Sequence, residues 1–199
     1  KPDAIAVAFD LRQPTFRHKA VATYKANRKG MPEELAMQLP YVKQLLTLLG
    51  VQVVTCEGYE ADDILGTLAA ACTAQHASCD ILTGDRDSLQ LVRENVTVRL
   101  ATNKETILFT PERFQEEYGF APLSLIDLKA LMGDSSDNIA GVAGVGQKTA
   151  SKLIQAWGTV ENLYAHLEEA GLTKSVHTKL VSGQDAARES KWLATIVTD

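Results

Sequence analysis

Short apolar runs alternate with amphipathic stretches through the first half of the chain. Three runs have the length and composition of buried strands: AIAVAF (4–9), VQVVTC (51–56) and CDILT (79–83). Residues 32–49 and 60–75 have helical periodicity, although Pro40 is expected to break or kink the first helix. VTVRL and TILF, further along, indicate a hairpin around Thr102–Glu105. Strands that alternate with helices predict the α/β class, with a mainly parallel sheet and helices on both faces.

After Thr110 the periodicity is helical throughout. The TPE segment that begins at Thr110 has the residues of a helix start, and Gly119 is expected to end that helix. Three further segments have helical periodicity and end in glycine: LSLIDLKALMG, QKTASKLIQAWG and VENLYAHLEEAG. No strand is predicted beyond TILF. The sequence therefore predicts an α/β core over residues 1–110 and a helical subdomain over residues 111–199.

The charge of the chain is unevenly distributed. Its 199 residues carry a formal net charge of −5, which on its own disfavours a polyanionic partner. Between Leu11 and Gly30, however, there is no acidic residue. That stretch contains Phe16, Tyr24 and the basic residues Arg12, Arg17, Lys19, Lys25, Arg28 and Lys29. A nucleic-acid contact and a solvated basic helix both fit it. No apolar run approaches the ~20 residues of a membrane span, so no membrane partner is expected.

Carboxylates are concentrated in four short motifs. They are Asp10; Glu60, Asp62 and Asp63; Asp85 and Asp87; and Asp134 and Asp137. The first three motifs follow predicted parallel strands, and ligand sites in open α/β sheets form at that edge. Eight carboxylates in one crevice repel each other unless cations lie among them. Helix capping or turn formation is the alternative for any single motif.

The side-chain atoms of these motifs that could bind a metal ion are all oxygens, because no histidine or cysteine belongs to them. Such sites select Mg²⁺ or Mn²⁺ over zinc. Two ions ~4 Å apart activate a water molecule and stabilise the leaving oxygen of an in-line phosphoryl displacement. Setting aside the eight ligands leaves 25 − 8 = 17 acidic residues against 20 basic ones, so the metal-loaded protein would attract a polyanion.

Two basic residues of the stretch after Asp10 are candidates for catalysis. Arg17 and Lys25 lie eight residues apart, roughly two helical turns. On one helix they would face the same phosphate, where their charge would stabilise a transition state.

The segment AGVAGVGQKTA (140–150) nearly matches the phosphate-binding loop of nucleotide hydrolases. Gln147 stands where the lysine of that motif should be, and no predicted strand precedes the loop. The context is instead helix, glycine loop, helix, which suits a DNA backbone phosphate read without sequence specificity. The groups that would bind it are the backbone near Gly141, Gly144 and Gly146, the start of the next helix, and Lys148 and Lys152.

Five motifs occur in the same order as in the 5′ nuclease (flap endonuclease) family: FD at Asp10, FRHKAVATYK, GYEADD, LTGDRDSLQL and GDSSDNIAGVAGVGQKTA. The chain resembles this family over nearly its whole length, and in particular the 5′→3′ exonuclease domain of bacterial DNA polymerase I. The resemblance implies a PIN-like fold with a helix–three-turn–helix motif. The family's first strand, which carries a further metal-binding aspartate, has no counterpart in the sequence, so the α/β core is expected to lack it.

The resemblance also implies roles for the candidate residues. The eight acids would bind two metal ions, and Arg17 and Lys25 would contact the scissile phosphate from an arch region. Residues 141–149 would grip the duplex backbone, often with a potassium ion. The DNA-binding candidates are Arg12, Lys19, Tyr24, Arg28, Lys29, Gly141, Gly144, Gly146, Lys148, Thr149 and Lys152.

The function that the resemblance implies is metal-dependent, structure-specific 5′ nuclease activity. The expected substrate is DNA with a 5′ flap or a duplex/single-strand junction, including RNA primers, in replication and repair. The protein would be a monomer of the bacterial cytoplasm, fused to polymerase domains in a longer chain. Because the first strand has no counterpart, a non-catalytic duplex DNA-binding module is the alternative. A ribonuclease of the related acidic-site type is a third hypothesis.

Overall fold

The computed structural model describes residues 2–199, in which five strands form two sheets. The strands are β1 (Ala6–Ala8), β2 (Gln52–Val54), β3 (Cys79–Thr83), β4 (Val96–Ala101) and β5 (Thr106–Phe109). β1 and β2 are parallel, with Val7 opposite Val53. β3 and β4 are also parallel, and β5 returns antiparallel to β4 with Ile107 opposite Leu100. The predicted α/β class and the predicted hairpin are confirmed.

The parallel strands are divided between two sheets, whereas the sequence predicts a single one. Within residues 2–199, β1 pairs only with β2, and β3 joins only β4. The helix α4 (Ala61–Ala74) packs against both β1 and β3 and so connects the two sheets. The alternation of strands and helices predicts parallel pairing, but it does not specify which strands are neighbours.

Three short helices precede α4: α1 (Phe16–Ala20), α2 (Glu33–Ala36) and α3 (Leu39–Leu48). Of the break or kink predicted at Pro40, the structure shows a break, between Ala36 and Leu39. Pro40 lies in the first turn of α3, where a missing N–H leaves no helical hydrogen bond unmade.

The prediction that Arg17 and Lys25 share one helix is wrong. α1 ends at Ala20, because Val21 is extended (φ −130°, ψ 103°). Lys25 has a left-handed backbone with φ 53°, and its N–H donates to the carbonyl oxygen of Asp137 at 2.9 Å. This segment therefore bonds to a distant loop instead of continuing its own helix.

The chain after β5 is helical, as predicted, and no strand follows β5 within residues 2–199. The helices are α5 (Pro111–Tyr118), α6 (Leu125–Met132), α7 (Gln147–Trp157), α8 (Val160–Ala165), α9 (Lys174–Ser182) and α10 (Gln184–Ala194). Two 3₁₀ segments cover Arg86–Leu91 and Pro122–Ser124. The predicted caps of α5 are confirmed: the Thr110 hydroxyl accepts from the N–H of Arg113, and Gly119 is left-handed with φ 77°.

One hydrophobic core serves both parts of the chain. Fully buried side chains from β5, α5, α6 and α7 belong to it: Phe109, Phe114, Leu131 and Ile154. α10 packs against α6 and closes this core. The core thereby fixes the loop between α6 and α7 relative to the sheets, while a domain boundary at residue 110 stays a prediction. Every helix within residues 2–199 is too short or too polar to cross a membrane.

Candidate active site

The first two acidic motifs meet at the beginning of α4. Glu60 is the residue before that helix, and its side chain is largely buried. Asp10, beyond the end of β1, accepts a hydrogen bond from the N–H of Ala61 through Oδ1 at 2.8 Å. Asp10 is therefore fixed beside the first turn of α4, next to the backbone of Glu60, although 50 positions separate the two residues in the sequence.

The third motif lies against the same helix. Asp85 caps the 3₁₀ segment by accepting from the N–H of Asp87 at 2.9 Å. The hydroxyl of Ser88, in that segment, donates to Asp62 Oδ1 at 3.2 Å. Burial, together with the charges of Asp85 and Asp87, raises the pKa of Asp62 to about 7. The closeness of the three carboxyl groups therefore disfavours the ionised form of Asp62.

The fourth motif forms a tight turn between α6 and α7. Asp134 and Ile139 exchange two backbone hydrogen bonds of 2.8 Å. The Oδ1 atom of Asp134 accepts from the N–H and the hydroxyl of Ser136 at 2.8 and 2.5 Å. Its Oδ2 atom accepts from Lys129 Nζ at 2.5 Å. Burial opposes ionisation of Asp134, but the hydrogen bonds from Lys129 and Ser136 outweigh it and lower the pKa to about 2.

The basic segment after α1 docks onto this turn and onto Glu60. Lys25 Nζ lies 2.6 Å from Glu60 Oε1 and 3.6 Å from Asp137 Oδ2. The Tyr24 hydroxyl donates to Glu60 Oε2 at 2.9 Å, and the ring is only 4% exposed. Arg28 forms an ion pair with Asp137. The left-handed backbone of Lys25 is strained by about 1–3 kcal/mol, and such strain is concentrated at functional sites.

Arg17 and Asp63 form a buried pair behind Glu60, and each is 2% exposed. Arg17 Nη1 and Nη2 each donate to one oxygen of Asp63 at 2.8 Å. The carboxylate also accepts from the N–H groups of Glu60 and Val197 at 3.0 and 2.9 Å. Both oxygens of Asp63 are therefore already used within the protein.

A single small cavity joins many of the predicted residues: Arg17, Tyr24, Lys25, Glu60, Asp62, Asp87 and Asp137. Asp10 lies beside it, next to Glu60, and Asp85 next to Asp87. Asp134 is joined to Asp87 by their shared partner Lys129. Acids of all four motifs thus lie in or beside one crevice. The strand-end argument covers only the first three motifs, and the strands that precede them belong to two different sheets.

The described residues, 2–199, hold no group of three or more histidine, cysteine, aspartate or glutamate side chains disposed to bind one metal ion. Protein cations occupy several of the acids instead: Arg17, Lys25, Arg28 and Lys129. The donor set nevertheless fits a hard divalent ion, because it consists of carboxylate oxygens. Metal binding therefore requires side chains of the crevice to rearrange.

The glycine loop between α6 and α7 has a packed half and an open half. Gly141 has φ 62°, and a Cβ there would overlap the backbone of Gly133. Its N–H donates to Ser190 Oγ at 3.0 Å, so it is not free to bind a phosphate. Gly144 has φ 77°, and its carbonyl oxygen accepts from Lys179 Nζ at 3.0 Å. Gly146 is exposed and precedes α7, with no atom within 4 Å of a Cβ built on it.

The remaining DNA-binding candidates differ in exposure. Lys148 and Lys152 are exposed on α7, whereas Thr149 is partly buried, and its N–H donates to the carbonyl oxygen of Gly146 at 3.0 Å. Three basic residues are exposed and form no ion pair within residues 2–199: Arg12, Lys19 and Lys29. Their charges are therefore accessible from solvent, whereas Tyr24 is enclosed, with 4% of its surface exposed.

Sequence reasoning missed Lys129 and Lys179. Lys129 is 6% exposed within the apolar segment LIDLKALM. A charged residue at an apolar position of a helix needs a buried partner, and this signal could have identified it. Lys179 contacts the glycine loop from α9, 35 residues away in the sequence, and no local pattern marks it.

Comparison with known proteins assigns the chain to a family. Residues 1–119 match the model of the 5′-3′ exonuclease N-terminal resolvase-like domain, and residues 120–199 match that of the 5′-3′ exonuclease C-terminal SAM fold. The chain belongs to the 5′-3′ exonuclease family. It is therefore a nuclease domain of the phosphodiester hydrolase class.

Polymerases contain similar sequences. This 5′-3′ exonuclease chain is 43% identical over 203 residues to DNA polymerase I of Caldicellulosiruptor bescii and 42% identical over 197 residues to the thermostable DNA polymerase I of Thermus thermophilus. The two alignments cover 100% and 99% of this chain, but 24% and 23% of the polymerases. The chain thus spans about a quarter of the length of the curated relatives it matches.

Solved structures share the fold. The exonuclease chain superimposes on T5 5′-exonuclease with bound divalent metal ions (zinc) with a TM-score of 0.80, at 23% identity, over 96% of this chain and 74% of that one. The catalytic core of Rad2 in complex with DNA substrate gives a TM-score of 0.61 at 16% identity, over 98% and 64% of the two chains. The predicted 5′ nuclease fold is confirmed.

Proposed function

We propose that this exonuclease domain is a metal-dependent, structure-specific 5′ nuclease. It would cleave DNA phosphodiesters near the junction of a duplex and a 5′ single strand. The observation that carries the proposal is the convergence of four acidic motifs and Lys25 on one crevice. That crevice adjoins the turn from which the glycine loop continues into α7.

Seven carboxylates are available to hold two divalent ions, Mg²⁺ or Mn²⁺: Asp10, Glu60, Asp62, Asp85, Asp87, Asp134 and Asp137. Bound ions would supply a hydroxide nucleophile and stabilise the leaving oxygen. The T5 exonuclease structures with bound divalent ions support metal dependence in the family fold. Lys25 would contact the scissile phosphate from its position between Glu60 and Asp137.

For Arg17 and Asp63 the contacts favour a positioning role over the predicted catalytic and metal-ligand roles. The guanidinium donates to Asp63, to Glu60 and to the carbonyl oxygens of Leu193 and Thr195. Through these contacts Arg17 holds the first turn of α4, with Glu60 and Asp62, against the segment around Leu193 and Thr195.

The duplex backbone would bind at the open half of the glycine loop. Gly146 leaves the first N–H groups of α7 accessible, and the helix dipole favours an anion there. Lys148 and Lys152 would add contacts to neighbouring phosphates, with a potassium ion at the loop. The catalytic core of Rad2, which has the same fold, was determined in complex with DNA substrate, and this supports DNA as the ligand.

The biological setting is proposed from the relatives. DNA polymerase I of several bacteria contains a similar segment, so this domain would act beside polymerase domains in a longer, monomeric chain of the cytoplasm. Flap cleavage and RNA primer removal in replication and repair would be its tasks.

Cleavage of a 5′-flap duplex in Mg²⁺ tests the proposal. Asp85→Asn should abolish cleavage and leave duplex binding largely intact. Asp80→Asn is the matched control, because Asp80 is an exposed acid of β3 that pairs with Arg99 outside the crevice. Unchanged turnover in the Asp85 variant would contradict the assignment.

The second candidate is a duplex DNA-binding module without catalysis. It is favoured by the protein cations that occupy the acids and by the lack of a preformed metal cluster within residues 2–199. It predicts salt-sensitive duplex binding with no cleavage in either Mg²⁺ or Mn²⁺.

A further inference from the structure

Lys129 is a buried cation inside the carboxylate crevice. Its Nζ lies 2.5 Å from Asp134 Oδ2 and also contacts Asp87 Oδ1. The side chain is 8% exposed, so the ammonium has little access to water. A buried ammonium is stable only when its charge is paired, and both partners here belong to the proposed metal ligands. Lys129 therefore competes for the same oxygens that a divalent ion would use.

The protein cations are unevenly distributed over the acids. Lys25 and Arg28 pair with Asp137, and Lys129 pairs with Asp134. No lysine or arginine of residues 2–199 forms an ion pair with Asp62 or Asp85. Asp62 and Asp85 thus have no cationic partner among these residues, whereas Asp134 and Asp137 are neutralised by the protein itself.

We propose that Lys129 is a resident counter-ion that a divalent ion must displace from Asp134, so that two metal ions bind in unequal steps. This inference rests on the proposed nuclease function. The first ion would bind at the Asp62–Asp85 end, where no protein cation has to leave. The second would bind at the Asp134 end only after the ammonium of Lys129 releases the carboxylate.

Removing the charge of Lys129 should have two opposing effects, one on the fold and one on metal binding. Together they distinguish a residue that competes with the metal ion from one that only supports the site. In the metal-free protein its loss leaves two buried carboxylates uncompensated, which lowers the melting temperature. In the presence of metal its loss removes a competitor, which tightens the weaker binding step. A residue that merely shaped the site would loosen metal binding when it was removed.

Isothermal titration calorimetry of the chelator-treated chain with MnCl₂ measures both steps. The wild type should show one tighter and one weaker dissociation constant. Lys129→Met should tighten the weaker constant on the order of tenfold, within the ~5–150-fold range usual for two coupled ligands. Lys129→Arg keeps the charge and should leave the weaker dissociation constant as in the wild type. Lys129→Gln is a second neutral variant, because its amide can still donate to a carboxylate.

Lys191→Met is the matched control. Lys191, on α10, pairs at 2.6 Å with Asp127, a buried acid that lies on α6 like Lys129 but outside the acidic motifs. This change should lower the metal-free melting temperature while both metal constants stay as in the wild type.

The titration distinguishes a failure of the proposed nuclease function from a failure of the proposed role of Lys129. If the wild type binds no divalent ion at millimolar concentration, the proposed function fails. If it binds two ions and the neutral Lys129 variants bind them with unchanged or weaker constants, the function stands and the inference is overturned. Two equal constants in the wild type would also overturn it.

Discussion

The guanidinium of Arg17 and the carboxylate of Asp63 are joined by two parallel hydrogen bonds of 2.8 Å, one from each terminal nitrogen. Arg17 also donates to the carbonyl oxygens of Leu193 and Thr195, and Asp63 accepts from the N–H of Val197. The pair therefore ties α1 and α4 to the segment that follows α10. Because these contacts enclose the guanidinium, we expect Arg17 to stabilise the fold rather than to contact the substrate.

Arg17→Met should destabilise the metal-free chain by about 3–5 kcal/mol, because it leaves Asp63 buried without a counter-charge. Urea denaturation in a chelator measures the change. Arg17→Lys should recover only part of the loss, since an ammonium cannot form the two-pronged contact.

Asp63→Leu together with Arg17→Met provides the control for this prediction. Removing both charges should cost less than the sum of the two single changes, because neither group is then left unpaired. A fully stable Arg17→Met chain that has lost only its turnover would contradict the positioning role.

The pKa of Asp62 predicts how the metal-free stability depends on pH. Its folded value of about 7 lies above the ~3.9 of an unfolded aspartate. Between these values the folded state keeps a proton that the unfolded state has released. The stability that protonated Asp62 contributes is therefore complete below pH ~4 and is lost as the pH rises through ~7, by at most about 1.4 kcal/mol per unit.

Asp62→Asn removes this titration. In a chelator, the free energy of unfolding of the variant should rise relative to that of the wild type from pH 5 to pH 7 and then level off. Millimolar Mg²⁺ should reverse the trend at pH 8, because the metal replaces the proton at the wild-type carboxylate. A difference that stays constant across this range would show that Asp62 does not titrate there.

Local chemistry made much of the fold predictable. The cap at Thr110, the left-handed Gly119 and the break at Pro40 follow from the residues themselves, and all three are confirmed. The proximity of the first three acidic motifs was expected from their places after predicted parallel strands, but the shared sheet edge on which that expectation rested is absent, because the strands form two sheets.

Long-range contacts limited the remaining predictions. The stretch from Phe16 to Lys29 has a helical composition, but the side chains of Asn27 and Asn138 bond across to the backbones of Ser135 and Thr23 at 2.7 and 2.6 Å. These contacts hold the segment after Ala20 against the turn between α6 and α7. The partner of Arg17 lies 46 residues away, and that of Lys129 at Asp87 lies 42 residues away. No periodicity specifies such pairs.

Lys148 on α7 should contribute to duplex affinity through charge alone. Lys148→Ala should weaken binding similarly for all sequences and reduce the slope of log K against log salt by about one unit. Fluorescence anisotropy of a labelled duplex at several salt concentrations measures both effects. Lys104→Ala, in the turn between β4 and β5, is the control and should change neither. An unchanged salt slope in the Lys148 variant would exclude a phosphate contact there.

Gly146 offers a test in which stability and DNA binding change in opposite directions. It precedes α7 with φ −91° and ψ 173°, and no atom lies within 4 Å of an added Cβ, so the fold accepts a side chain there. Gly146→Asp should stabilise the chain by a few tenths of a kcal/mol or more, because aspartate caps the helix and complements its dipole. The same carboxylate would repel a phosphate at the α7 N-terminus, so duplex affinity should fall severalfold.

Gly146→Asn is the neutral control, with a similar gain in melting temperature but a smaller loss of affinity. Equal affinities of the Asp and Asn variants at low salt would mean that no phosphate binds at this helix end, and the glycine loop would then need another role.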